Sequence, residues 1–127
     1  MVLVALALGC AGKQPGDRKI ADSVPTTDPL KARPAILAQV RDAPCSSSSV
    51  CRTIAFGEKA CGGPRQYLVY STAATDSARL AREVARYNEA ERNRNREEGR
   101  VSDCMALMKP QVSCVAGKCR AAAGGTR

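Results

Sequence analysis

Seven cysteines and no histidine set the chemistry open to this chain of 127 residues. Without imidazole there is no Ser–His or Cys–His nucleophile pair, no imidazole general base and no His-containing metal site. The cysteines stand at 10, 45, 51, 61, 104, 114 and 119, and none forms a Cys-x-x-Cys; the tightest spacing is Cys114-Val-Ala-Gly-Lys-Cys119. That spacing does not suit zinc, and no metal or other cofactor is expected. Cys45, Cys51, Cys61, Cys104, Cys114 and Cys119 form an even set, as three disulfides would, which fits a chain folding in an oxidising compartment. Three of these precede a long central helical pattern and three follow it, so at least two bridges are expected to join the two groups, with the pairing left open.

The remaining reactive groups form no recognisable catalytic set. Glu58 and Asp103 are carboxylates outside the helical pattern, but nothing in the sequence brings them together as an acid/base pair. The run Ser46–Ser49 lacks a Gly-x-Ser-x-Gly or Ser-x-x-Lys context and reads as loop. No enzyme is expected. Two basic features remain. Cys61-Gly-Gly-Pro64, flanked by Lys59 and Arg65, could be a rigid loop of the kind protease inhibitors present. Arg79, Arg82 and Arg86 fall on one side of the helical pattern, opposite Leu80, Val84 and Tyr87, as a weak binding face for an anionic surface.

Few apolar residues are available to position these groups. Leu, Ile, Val and Phe number 22, and 21 of the residues counted as hydrophobic are alanines. With a net charge of +8 such a composition borders on disorder, and bridges must supply what a large core would otherwise give. Val50–Phe56 reads as a strand closed by Gly57, Gly62-Gly63-Pro64 as a turn, and Tyr67–Tyr70 as a second strand. Asp76–Glu98 reads as a helix capped by Thr75 or Asp76 and stopped at Gly99. Its second half, Glu91–Glu98, shows no apolar side and is expected to project or fray. Val101–Met108 reads as a third strand and Val112–Cys119 as a hairpin turning at Ala116-Gly117. The expected fold is α+β: a small disulfide-stapled domain with one long helix against a small, mostly antiparallel sheet.

The N-terminus carries a different signal. Met1–Gly9 is an uncharged apolar run, too short to span a bilayer, and it ends Leu6-Ala-Leu-Gly-Cys10. This ending resembles the lipobox of bacterial lipoprotein precursors. The resemblance implies a signal peptide over 1–9, cleavage before Cys10, acylation of that cysteine and a membrane anchor; Ala11 in place of aspartate favours the outer membrane. Signal peptides of this kind carry Lys or Arg before the apolar run, so such residues are expected upstream of Met1. Residues 10–44 hold Pro15, Pro25, Pro29, Pro34 and Pro44 and read as a proline-rich tether without regular helix. Within it, Pro34–Arg41 could form a short helix that packs on its own domain or stays loose. The Cys-rich domain is expected over 45–121 and a frayed tail over 122–127.

Within 45–121, Cys51–Gly57, Lys59-Ala-Cys-Gly-Gly-Pro64, Tyr67–Ser71, Ser102-Asp-Cys104 and Cys114-x4-Cys119 resemble an uncharacterised secreted domain found in bacterial lipoproteins. The resemblance implies the secreted setting and the domain limits, and no activity. The expected protein is therefore a lipid-anchored, monomeric, non-enzymatic envelope protein, facing the periplasm or the cell surface. It would bind a protein partner or an anionic surface polymer, and not nucleic acid, since it has no recognition motif or aromatic platform. The inhibitor-like loop is the alternative. Replacing Cys10 by Ala should abolish acyl labelling and detergent partitioning of the cell-borne protein; unchanged labelling would rule the anchor out.

Overall fold

The computed structural model describes residues 28–122. Cys10, the expected signal peptide and the expected tether up to residue 27 lie outside the described residues, as does most of the expected tail. Element order is a 3-10 turn Pro29–Ala32, α1 Arg33–Val40, β1 Cys51–Phe56, β2 Gln66–Ser71, α2 Ser77–Glu97, β3 Val112–Val115 and β4 Lys118–Ala121. The strands make two antiparallel hairpins, β1 with β2 and β3 with β4. This is the expected small, disulfide-stapled α+β domain, with one long helix and a second short one.

The first hairpin divides the molecule into two cores. Its register pairs Ile54 with Leu68 and Arg52 with Tyr70, and alternation turns Ile54, Phe56, Leu68 and Tyr70 toward the helices. There they meet Ile36 and Val40 of α1 and Leu80, Val84 and Tyr87 of α2. The Phe56 and Tyr87 rings stack with centroids 4.5 Å apart. Cys51 and Val69 face the opposite way, toward Ala43, Cys119, Val112 and the sulfurs of Cys45 and Cys114. The second core is thus built around disulfides, because the chain has few large apolar side chains left for it.

All three bridges join the cysteines before α2 to those after it: Cys45–Cys114, Cys51–Cys119 and Cys61–Cys104. The first two clamp the β3–β4 hairpin beneath β1. Backbone bonds add to the clamp, since the Cys45 amide donates to the Gly117 carbonyl at 2.9 Å and the Cys119 amide to the Ala43 carbonyl at 2.8 Å. That hairpin turns on Ala116 and Gly117, both with positive φ (51° and 78°), the geometry a two-residue turn requires.

Three expectations are corrected. The compact unit begins near Asp28, not at Cys45. Pro29 and Pro34 sit in the first turns of their helices, where the missing N–H has no partner to lose, and the Asp28 carboxylate accepts from the Leu30 amide at 3.0 Å. Ile36 is fully buried. The short helix allowed for Pro34–Arg41 forms, over Arg33–Val40, and packs on the domain instead of staying loose in a tether. Second, Val101–Met108 forms no strand; it crosses the Cys61 loop as an irregular exposed segment. Third, the polar half of α2 neither projects nor frays. Glu91 and Asn95 are buried, continuing the stripe of Leu80, Val84 and Tyr87 with hydrogen-bonding residues.

Ile36→Ala should cost about 2–5 kcal/mol, the range for deleting a buried aliphatic side chain. Denaturant unfolding measures it; a loss within error of zero would return residues 28–44 to the tether.

Candidate functional site

Asp76 caps α2 by accepting from the Arg79 amide at 3.0 Å, and the Thr75 hydroxyl donates to the Gln39 carbonyl at 2.9 Å, tying α2 to α1. From there the helix runs along the β1–β2 hairpin and reaches its turn. Asn88, Glu91 and Asn95 each bond the turn's backbone. The Gly57 amide donates to Asn88 Oδ1 (2.8 Å), the Glu58 amide to Glu91 Oε2 (2.7 Å), and Asn95 Nδ2 to the Glu58 carbonyl (2.8 Å). Glu91 also takes the Arg65 guanidinium at 2.9 Å. Gly57 has φ of +79°, and a Cβ there would stand 3.0 Å from both Glu91 Oε2 and Arg65 Cβ, so only glycine lets the turn close on the helix.

This docking leaves a groove of about 460 Å³ between the Cys61 loop and the last turns of α2. Lys59, Arg92, Arg96 and Arg100 line it, against the single lining carboxylate of Glu58. Arg92 pairs with Glu58 at 3.4 Å and Arg100 with Glu98 at 2.6 Å. Lys59 Nζ donates to Asp103 Oδ1 at 2.7 Å and to the Met105 carbonyl at 2.9 Å. Arg96 reaches only the neutral Asn93 side chain, at 2.5 Å, and no carboxylate among the described residues pairs it. The helix C-terminus does not consume these guanidiniums, because the Glu98, Gly99 and Arg100 amides already donate to its last carbonyls. At the floor, Asn95 Oδ1 is buried with no donor among the described residues. A concave site with surplus guanidinium suits an anionic, planar or tetrahedral oxygen group such as phosphate.

The other candidate residues lie elsewhere on the surface. Arg79, Arg82 and Arg86 are exposed on α2, away from the buried Leu80, Val84 and Tyr87, but their surroundings differ. Arg79 is bound to Glu83 at 2.8 Å, and Glu83 also accepts from Gln39 of α1. The Arg79 hydrogen bond holds the Glu83 carboxyl below its ordinary range, and the same bond raises the Arg79 guanidinium. Arg86 lines a second cleft with Arg79 and Lys31, beside the Pro29–Ala32 turn, and Arg82 stands outside it. Lys59 and Arg65, which flank the Cys61-Gly-Gly-Pro loop, are both paired with carboxylates; Lys59 is largely covered, whereas Arg65 stays exposed. Glu58 and Asp103 bind different cations, Arg92 and Lys59. The Sγ atoms of Cys45, Cys51 and Cys119 lie within 4.8 Å of one another, but they belong to two adjacent disulfides and so offer no thiolate.

Sequence reasoning missed the groove because it treated Glu91–Glu98 as a solvated end. One signal was present: Asn88, Glu91 and Asn95 continue the spacing of Leu80, Val84 and Tyr87. Comparison with protein-family models, curated proteins and solved structures gives no match.

The Lys59 hydrogen bond, with a second from the Met105 amide, holds the Asp103 carboxyl below its ordinary range. A carboxyl lowered on folding stabilises the fold fully above its unfolded value of about 3.9, and the contribution is lost as pH falls through the folded value. Asp103 should therefore titrate below about 3.9 by NMR, with the Met105 amide reporting the same midpoint. A midpoint at or above that value would show that Lys59 does not hold the segment in solution.

Proposed function

We propose that this protein is a lipid-anchored, non-enzymatic component of a bacterial cell envelope that binds a phosphate-bearing surface component in the groove beside the Cys61 loop. Cys10 carries the anchor, and the domain acts as a monomer without a cofactor, on the periplasmic or outer face of the outer membrane. The three disulfides support an oxidising setting, and the lipobox-like ending at Cys10 supports the anchor. The observation that carries the binding reading is Arg96, free of carboxylates and flanked in one concavity by Arg92 and Arg100. Cations so placed attract an anion over several ångströms and hold it by forked hydrogen bonds at contact. The groove is preferred to the Arg79–Arg86 face because Glu83 neutralises Arg79 there. No observation favours the inhibitor-like alternative, since its two basic residues are engaged.

The test uses the full chain carrying Cys10→Ala, titrated with soluble poly(glycerol phosphate) at low salt. Arg96→Glu with Arg100→Glu should weaken binding by about tenfold or more, whereas Arg82→Glu should change it by about twofold at most. Thermal stability should stay nearly constant, because exposed ion pairs contribute little to folding. Equal binding by the double variant and the parent protein would overturn the reading.

A further inference from the structure

Segment 101–109 leaves the groove at Arg100 and carries the largest exposed apolar side chains of the described residues. Val101 is 94% exposed, Met105 72% and Met108 70%, with Leu107 partly exposed beside them. In a chain so short of apolar residues, keeping these four outside the core goes against burial unless another apolar phase receives them. The segment is not loose. Cys104 is bonded to Cys61, the Cys61 amide donates to Ser102 Oγ at 3.1 Å, and Lys59 holds both Asp103 and the Met105 carbonyl. These ties fix the middle of the segment against Lys59 and Cys61 of the groove's wall, while the apolar side chains stay exposed. They also neutralise Asp103, the segment's only acidic residue. What remains is an exposed apolar ridge, Val101–Met108, that follows Arg100 and precedes Lys109 in the chain.

We propose that Val101, Met105, Leu107 and Met108 enter the interfacial layer of a bilayer whose headgroups carry anionic phosphate, while Arg96 and Arg100 hold those headgroups in the groove. This rests on the groove reading and names the source of its phosphate. Charge complementarity selects the occupant: the apolar segment is tied to the wall of a groove lined by Lys59, Arg92, Arg96 and Arg100, and cations next to exposed apolar side chains are what a peripheral contact with an anionic bilayer uses. A protein partner with an apolar patch would meet the same ridge but would have no need of phosphate.

The chain contains no tryptophan, so Met105→Trp adds a single local reporter at an exposed position. The full chain with Cys10→Ala and Met105→Trp is mixed with vesicles of phosphatidylcholine, with or without phosphatidylglycerol. Emission should move to the blue only with phosphatidylglycerol and be quenched by lipids brominated on the acyl chain. Both effects should vanish with Arg96→Glu and Arg100→Glu. Val101→Ser with Met108→Ser should raise the lipid concentration at which the emission shifts by about tenfold. Because the apolar run at 1–9 could hold the protein on vesicles by itself, the indole and not sedimentation decides. A water-exposed emission on vesicles that bind the protein overturns the proposal, as does an equal shift with phosphatidylcholine alone. If poly(glycerol phosphate) binding still depends on Arg96 and Arg100 in that case, the groove reading stands and only its membrane source falls; if that dependence is also missing, both fall.

Discussion

Two cross-links decide whether the last hairpin of this chain stays docked on the rest. Cys45–Cys114 and Cys51–Cys119 close separations of 69 and 68 residues and hold the β3–β4 hairpin against a sheet face that offers it almost no large apolar surface. In the chain-entropy account, each loop of that length removes about 4 kcal/mol of freedom from the unfolded state. A small domain has a net stability of the same order, so reducing the pair should leave the second hairpin with too little to stay docked. Around this clamp the sheet keeps its other face for the helices, where Phe56, Tyr87, Ile36 and Leu80 are the centre of the larger hydrophobic core of the described residues.

The long helix solves a related problem at its other end. Apolar residues run out after Tyr87, yet the helix has further turns to place against the β1–β2 turn. Asn88, Glu91 and Asn95 take over the buried stripe, and each engages a backbone or guanidinium group of that turn. A buried carboxylate is tolerable here because it accepts a backbone amide and a guanidinium together. The consequence for function is geometric. A helix end that is held rigidly carries Arg92, Arg96 and Arg100 at fixed positions over the Cys61 loop, so a loose arginine-rich tail becomes one wall of a groove.

The third bridge links the groove to the ridge beside it. Cys61–Cys104 and the Lys59–Asp103 pair join a loop before α2 to a segment after it, and they set cationic and apolar surfaces side by side. The groove draws on two distant stretches of sequence, whereas the ridge is one stretch pinned to the groove's wall from outside it. Among the described residues no helix is long and apolar enough to cross a membrane.

Local patterns were legible because their causes are local. Alternation marked β1, Asp76 marked the start of α2, and the glycine of Ala116-Gly117 marked a turn that needs positive φ. The even cysteine set, divided by a helix, pointed to bridges between the two groups, and all three run that way. The tertiary structure alone decided the rest. Pro34 is compatible with a helix or a tether, and only the apolar face of the first hairpin gives Ile36 and Val40 something to cover. Val101–Met108 has strand-like composition, but its bonds to Lys59 and Cys61 draw it across a loop instead of along a strand. Glu91 and Asn95 are polar by type and buried by circumstance, because the Glu58 amide and carbonyl that satisfy them arrive from more than thirty residues away. Sequence records which groups a residue can bond; folding determines which of them come within reach.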